Sequence, residues 1–188
     1  MIKDYIEKAR SYRSFDESRP IKKELLVEFV NNARLSPSSI NLQALKYKIC
    51  TEKEELDAVL PLTKWAAMIK DEEIPPKGHT PTAYIVICID KNVSDKDIFL
   101  RDVGVAAQTI MLSAAEYGYG GCMIGNFNSE KMAEALSLPS GIVPNLVLGL
   151  GLPDENIILE DIKDGKSAYY RDSDGHHVPK RTLEEIIL

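Results

Sequence analysis

Two short stretches carry side chains whose types and spacing can do chemistry. The first is Arg10-Ser11-Tyr12-Arg13-Ser14-Phe15-Asp16, and the second is Ser36-Pro37-Ser38-Ser39-Ile40-Asn41-Leu42-Gln43. Arg10 and Arg13 stand three apart with a hydroxyl between them, which suits an anionic, oxygen-rich ligand. A guanidinium fork holds a phosphate or a carbonyl edge through two parallel hydrogen bonds. Ser38, Ser39, Asn41 and Gln43 add neutral donors and acceptors that read hydroxyls and ring heteroatoms. Neither stretch resembles a nucleophile–base pair. The chemistry they suit is the holding of a polar cofactor.

The rest of the composition narrows the field. The chain has 188 residues, 44% hydrophobic and 28% charged, enough for a single domain spanning 1–188 with a real core. A formal charge of −6 argues against nucleic acid as a partner, because a phosphate backbone needs a basic surface. No apolar run reaches the length of a membrane span, and Met1-Ile2-Lys3-Asp4 does not read as a signal peptide. Cys50, Cys88 and Cys122 are odd in number and lack metal-ligand spacing. Buried thiols, no metal and a reducing, cytoplasmic setting are expected. His79, His176 and His177 read as loop residues without a ligand or nucleophile nearby, and Asp102 as no more than a helix ion pair.

The elements that must position these groups follow from periodicity. Residues 2–9 form a short helix. Lys22 to Leu35 is an amphipathic helix with Leu25, Leu26, Phe29, Val30 and Ala33 on one stripe, ended by Ser36-Pro37. Tyr47–Cys50 is a strand, and Thr51 with Glu54 makes a capping box for a helix through Leu60. Residues 61–81 are irregular, hold Trp65 and the acidic run Asp71-Glu72-Glu73, and are expected to form a mobile flap. Ala83–Ile89 is apolar throughout and belongs at the centre of a sheet. Asp97–Tyr117 is a long helix, apolar over much of its circumference, that belongs in the middle of the fold. Gly118 ends it, within a break over 118–121. Ser129 caps a helix to Leu136, and Val143–Leu148 is a strand closing on Gly149-Leu150-Gly151. Pro153 follows that pair of glycines where a dinucleotide fingerprint would start a helix. The tail from Pro153 is polar, with a short apolar ending over Leu183–Leu188.

In order along the chain, these features resemble the FMN-dependent nitroreductase family. The resemblance rests on Arg-Ser-x-Arg-x-Phe from Arg10, Pro-Ser-Ser-x-Asn-x-Gln from Pro37, and a central helix near Asp102-Val103-Gly104. Met123-Ile124-Gly125-Asn126-Phe127, the strand into Gly151, and Lys180-Arg181-Thr182-Leu183-Glu184-Glu185 complete it. It implies an α+β fold with a mostly antiparallel central sheet flanked by helices, interlocked as a homodimer with FMN at the interface. By similarity, Arg10 and Ser11 hold the phosphate and ribityl chain, Arg13 the pyrimidine edge, and Lys180 and Arg181 return to the phosphate. Ser38, Ser39, Asn41 and Gln43 reach the partner's flavin. Ile124 and the Gly125 backbone lie beside the reactive flavin nitrogen, and Trp65 lines the substrate pocket. The implied activity passes hydride from NADH or NADPH through FMN to a nitroaromatic, quinone or similar acceptor by ping-pong exchange. The chemistry is the cofactor's, so no catalytic side chain is expected. The alternatives are a reductive dehalogenase or flavin-degrading enzyme of the same family, or a non-catalytic flavin-binding protein. Ala9 stands where the family often has a basic residue.

Overall fold

A computed structural model describes residues 1–69, 72–94 and 99–188. The expected start of the long helix at Asp97, and Asp71 of the acidic run, lie outside these residues. The elements are α1 (Ile2–Lys8), α2 (Lys23–Arg34), β1 (Leu45–Cys50), α3 (Lys53–Val59), β2 (Ala83–Asp90), α4 (Phe99–Glu116) and β3 (Gly120–Ile124). They continue with α5 (Ser129–Ala135), β4 (Ile142–Gly151), β5 (Ile157–Asp161), β6 (Tyr170–Arg171), β7 (His176–Lys180) and α6 (Leu183–Ile186).

The central sheet has order β1-β2-β4-β3, antiparallel at every step. The fold class implied by the family resemblance therefore holds. β2 lies inside the sheet, and alternation divides its side chains between two cores. Ala83, Ile85, Ile87 and Ile89 face a core built with Leu26, Phe29, Ala33, Val103, Ala107 and Ile110 of α2 and α4. Tyr84, Val86 and Cys88 face a second core with Val59, Cys122, Met132 and Val147. A strand covered on both faces has no polar alternation to show, which is why β2 is a continuous apolar run. α4 packs between α2 and the sheet, and its buried residues occupy most of its circumference. Each large core side chain, such as Phe29, stabilises the fold by about 1.5–3 kcal/mol.

Local chemistry departs from expectation in several places. α3 is capped by Glu52 and Glu55, not by Thr51 and Glu54. The Glu55 carboxylate accepts from the Thr51 and Glu52 amides and from Lys48 Nζ at 2.5 Å, while Glu54 is exposed. Asn128, not Ser129, caps α5 by accepting from the Lys131 amide; Ser129 Oγ donates to the Pro144 carbonyl. Gly118, at φ +79°, ends α4 as expected, but Gly120 and Gly121 already belong to β3. The polar tail forms a second sheet of order β5-β7-β6, its β5–β7 step parallel. His176 and His177 are buried strand residues of that sheet, not loop residues. The segment 61–81 is irregular but tethered. Thr63 bridges Phe127, the Lys64 amide donates to the Asn126 carbonyl, and Glu72 pairs with Arg171 at 2.8 Å. Among the described residues no helix is long and apolar enough to cross a membrane.

Candidate functional site

Phe15 is fully buried, and Gly151 has room for it because a Cβ there would lie 2.8 Å from its ring. That anchor, with the Ser11–Gly121 bridge, lays the first motif along the edge strand β3. Tyr12 repeats the device over Gly120, where a Cβ would come within 2.4 Å of the ring. The backbone pinned in this way turns Arg10, Ser11 and Arg13 into a cavity of about 310 Å³. Met111 and Gln108 of α4, Tyr169, His176 and Lys180 line its other walls. Lys180 thus lines the same cavity as Arg10. Arg181 does not join them: it is exposed and its guanidinium reaches Glu185 at 3.2 Å.

A second cavity, of about 390 Å³, shares Ser11, Arg13 and Met123 with the first. Ile124, Gly125 and Asn126 form one wall and Lys64-Trp65-Ala66-Ala67 the facing one. A Cβ at Gly125 would meet nothing within 4 Å, so the backbone there is open to a ligand. Trp65 is both pocket wall and anchor. Its Nε1 donates to Thr63 Oγ1 at 2.9 Å, and its ring packs over Gly149. The 38–43 residues are elsewhere in the same chain. Ser38 and Gln43 line a separate cavity of about 150 Å³ with Tyr47 and Asp102, and Asn41 is exposed.

Arg13 is the best-enclosed cation of the site, 8% exposed. Its amide donates to Glu155, Nη1 lies 3.1 Å from both the Ser11 carbonyl and His176 Nε2, and Tyr169 stacks on its face at 4.8 Å. Arg171 approaches the other side of His176, Nε to Nδ1 at 3.3 Å, and also holds Glu155 at 2.7 Å. Burial, then Arg13, then Arg171 push the His176 pKa down to about 4. A neutral imidazole has one N–H and one acceptor, so it can accept from only one of these two guanidiniums. The other is left facing an N–H. Among the described residues Arg13 Nε and Arg10 Nε are also buried without an acceptor. Buried donors of this kind are costly unless a ligand supplies oxygen or nitrogen to them. Two unspent guanidinium donors and Lys180 around one cavity thus fit a phosphate-bearing group with a carbonyl-rich ring, as FMN has.

Burial disfavours the thiolate form at all three cysteines. Burial pushes Cys50 and Cys88 each up to about 12, and burial also raises Cys122, with Arg13 opposing. His79 has a partner after all, its Nδ1 lying 2.5 Å from Asp154. Asp102, among the described residues, forms no helix ion pair; its carboxylate accepts from the Ser39 amide and hydroxyl.

The site residues that sequence reasoning missed are His176, Tyr169, Arg171 and Glu155. A usable signal was present for three of them. Asp172-Ser173-Asp174-Gly175 between Tyr169-Tyr170-Arg171 and His176-His177-Val178 is a hairpin pattern. The Asp172 carboxylate indeed accepts from the amides of Asp174 and Gly175 and turns the chain.

Residues 6–152 match the sequence profile of the nitroreductase family. A relative from Methanothermobacter thermautotrophicus is 26% identical over 167 residues, covering 87% of this chain and 83% of its own. It carries the provisional name NADH dehydrogenase/NAD(P)H nitroreductase. An FMN-dependent nitroreductase from Clostridium difficile superposes with TM-score 0.66 at 26% identity, covering 83% of this chain and 89% of its own. Nitroreductase A from Vibrio parahaemolyticus does so with TM-score 0.65 at 26% identity, over 82% and 69%.

Proposed function

The chain belongs to the nitroreductase family, and from that premise we propose that it is an NAD(P)H-dependent oxidoreductase that holds FMN in the two joined cavities. The observation that carries this reading is the pair of buried guanidinium nitrogens, Arg10 Nε and Arg13 Nε, that lack acceptors beside a cavity also lined by Lys180. Arg10, Ser11 and Lys180 hold the phosphate and ribityl end. Arg13 holds the pyrimidine edge, where its charge favours electron uptake. Ile124 and the Gly125 amide stand beside the reactive ring nitrogen. When bound, FMN supplies hydride transfer between a reduced nicotinamide and an electron-poor acceptor such as a quinone or nitroaromatic. The two reactants use the open cavity under Trp65 in turn, which gives ping-pong exchange. The protein's own tasks are to bind, to orient the ring and to shape that cavity.

Residues 1–188 act as one FMN-binding domain that pairs into a homodimer, with Ser38, Ser39, Asn41 and Gln43 reaching the partner's flavin. Support comes from Ile40, 78% exposed within the same turn as Asn41 and Gln43. A partner chain seated on the turn would take that side chain out of water. A reducing, cytoplasmic setting goes with three free thiols.

The test is the colour of the purified protein. It should be yellow, release FMN in acid, and oxidise NADH or NADPH with a generic quinone acceptor. Colourless protein that takes up no added FMN overturns the reading. FMN binding without turnover would leave a flavin-binding protein and remove the enzyme.

A further inference from the structure

We propose that Asp102 is a positioning residue of the flavin site: from the first turn of α4 it holds, through Ser39, the strained turn that presents Asn41 and Gln43. The inference rests on the flavin reading above.

The turn is strained by its backbone. Ile40, Asn41 and Gln43 have φ of 46°, 55° and 52°. Left-handed backbone is unfavourable for any residue with a Cβ and worst for a β-branched one such as Ile40. Such a conformation persists only where surrounding structure over-determines it. Side chains of the turn do not supply that structure by burial, since Ile40, Asn41, Leu42 and Gln43 are all exposed. Within the turn the Asn41 amide donates to the Ser38 carbonyl at 3.0 Å, the Leu42 amide to the Ser39 carbonyl at 3.2 Å, the Gln43 amide to Ser38 Oγ at 3.3 Å and Gln43 Nε2 to the Asn41 carbonyl at 3.4 Å, all of them bonds among the turn's own residues.

Asp102 supplies it from α4. The residue is 6% exposed, and its two carboxylate oxygens lie 3.1 and 2.9 Å from the Ser39 amide nitrogen, with Ser39 Oγ donating at 2.7 Å. Two more polar pairs fasten the preceding segment to the same helix. Ser36 Oγ meets Thr109 Oγ1 at 3.0 Å, and Asn32 Nδ2 donates to Ser113 Oγ at 3.1 Å. Residues 102, 109 and 113 recur at seven and four positions, so they share one face of α4. Of the three, Asp102 is the one whose partner lies within the strained turn. An ionised carboxylate offers only acceptors, so it can serve the N–H and the O–H together. An asparagine there would turn an NH2 toward one of these donors. The geometry of Asn41 and Gln43, far along the chain from α4, is thereby set by a buried carboxylate that touches neither.

A double-mutant cycle tests this. FMN affinity is measured by quenching of flavin fluorescence for Asp102→Ala, for Asn41→Ala combined with Gln43→Ala, and for the triple variant. Amide exchange of residues 39–43 is followed in flavin-free protein. Asp102→Ala should accelerate exchange across the turn and weaken FMN binding roughly 10- to 100-fold in the parent, as for a lost charge-assisted bond. In the Asn41/Gln43 background it should weaken binding no further. The isosteric Asp102→Asn, which keeps one acceptor, should give an intermediate loss and guards against an alanine variant that fails to fold. Equal losses in both backgrounds would make Asp102 a general support of the fold and overturn the proposal alone. Unchanged exchange at 39–43 in a folded variant would do the same. A parent protein that takes up no FMN would overturn the flavin reading along with it.

Discussion

His176 and His177 are neighbours on β7 whose rings respond to protons in opposite senses. His176 sits between Arg13 and Arg171, and its pKa is held down to about 4. In an unfolded chain it would bind a proton near 6.5, so folded protein loses stability as pH falls from that value toward 4. His177 stacks on Tyr170 at 4.5 Å and meets Asp172 at 3.0 Å and Glu160 at 3.5 Å. Its burial opposes protonation, but the Asp172 and Glu160 carboxylates prevail and raise its pKa. That contribution is fully present below about 6.5 and is lost as pH rises through the raised value. Replacing each by glutamine and following urea midpoints from pH 4 to 8 should separate them. Relative to the parent, His176→Gln should gain stability as pH falls, whereas His177→Gln should be most impaired at acid pH and converge with the parent above neutrality. Parallel profiles would contradict the assignment. The motif residues Arg10, Ser11 and Arg13 were legible because their spacing is local. His176 was not, since what makes it a site residue is Arg13, a contact no local pattern encodes.

Among elements, β3 and β4 act as a seat for aromatic rings. Tyr12, Phe15 and Trp65 each lie where a Cβ on Gly120, Gly151 or Gly149 would collide. A Cβ at Gly149 would fall 2.8 Å from Trp65 Cη2, the far end of a side chain in a loop. Gly149→Ala should therefore displace Trp65, cost about 1–3 kcal/mol by overpacking, and change the ratio of quinone to nitroaromatic turnover with FMN retained. Trp65→Ala should absorb most of that cost in the double variant, read as thermal midpoints. At Gly121 the obstacles are the Gly149 carbonyl, a backbone atom of the paired strand, and Leu150 Cδ2, each at 2.6 Å. Gly121→Ala should be at least as damaging and indifferent to Trp65→Ala; rescue there would refute the distinction. β2 was readable because burial on both faces leaves an unbroken apolar record, and α4 because apolar residues cover most of its circumference. The tail sheet left none: its strands are short, its β5–β7 pairing is parallel across an intervening hairpin, and much of its surface is wet. The caps of α3 and α5 shifted by one residue because several neighbouring side chains could each accept the same amides.

For the molecule as a whole, Arg13 lines the two adjoining cavities while Asn41 is exposed on the separate 38–43 turn of the same chain, which makes a dimer with shared sites testable. Arg13→Ala and Asn41→Ala should each abolish most activity alone. In a mixed dimer, isolated by two affinity tags, one site collects both defects and the other neither, so activity should return in one of two sites. Continued inactivity of the mixed dimer, or a monomer in solution, would refute the sharing. The site's walls also differ in age. Arg13 and His176 are 163 residues apart, and at ribosomal rates of 5–20 residues per second the arginine precedes its histidine by about 8–33 s. Glu155, Arg171 and Lys180 arrive in the same late interval. For that time the first motif faces Gln108, Met111 and Met123 without the walls that Tyr169, His176 and Lys180 supply, so a cofactor held there would be enclosed only once residue 180 has been made.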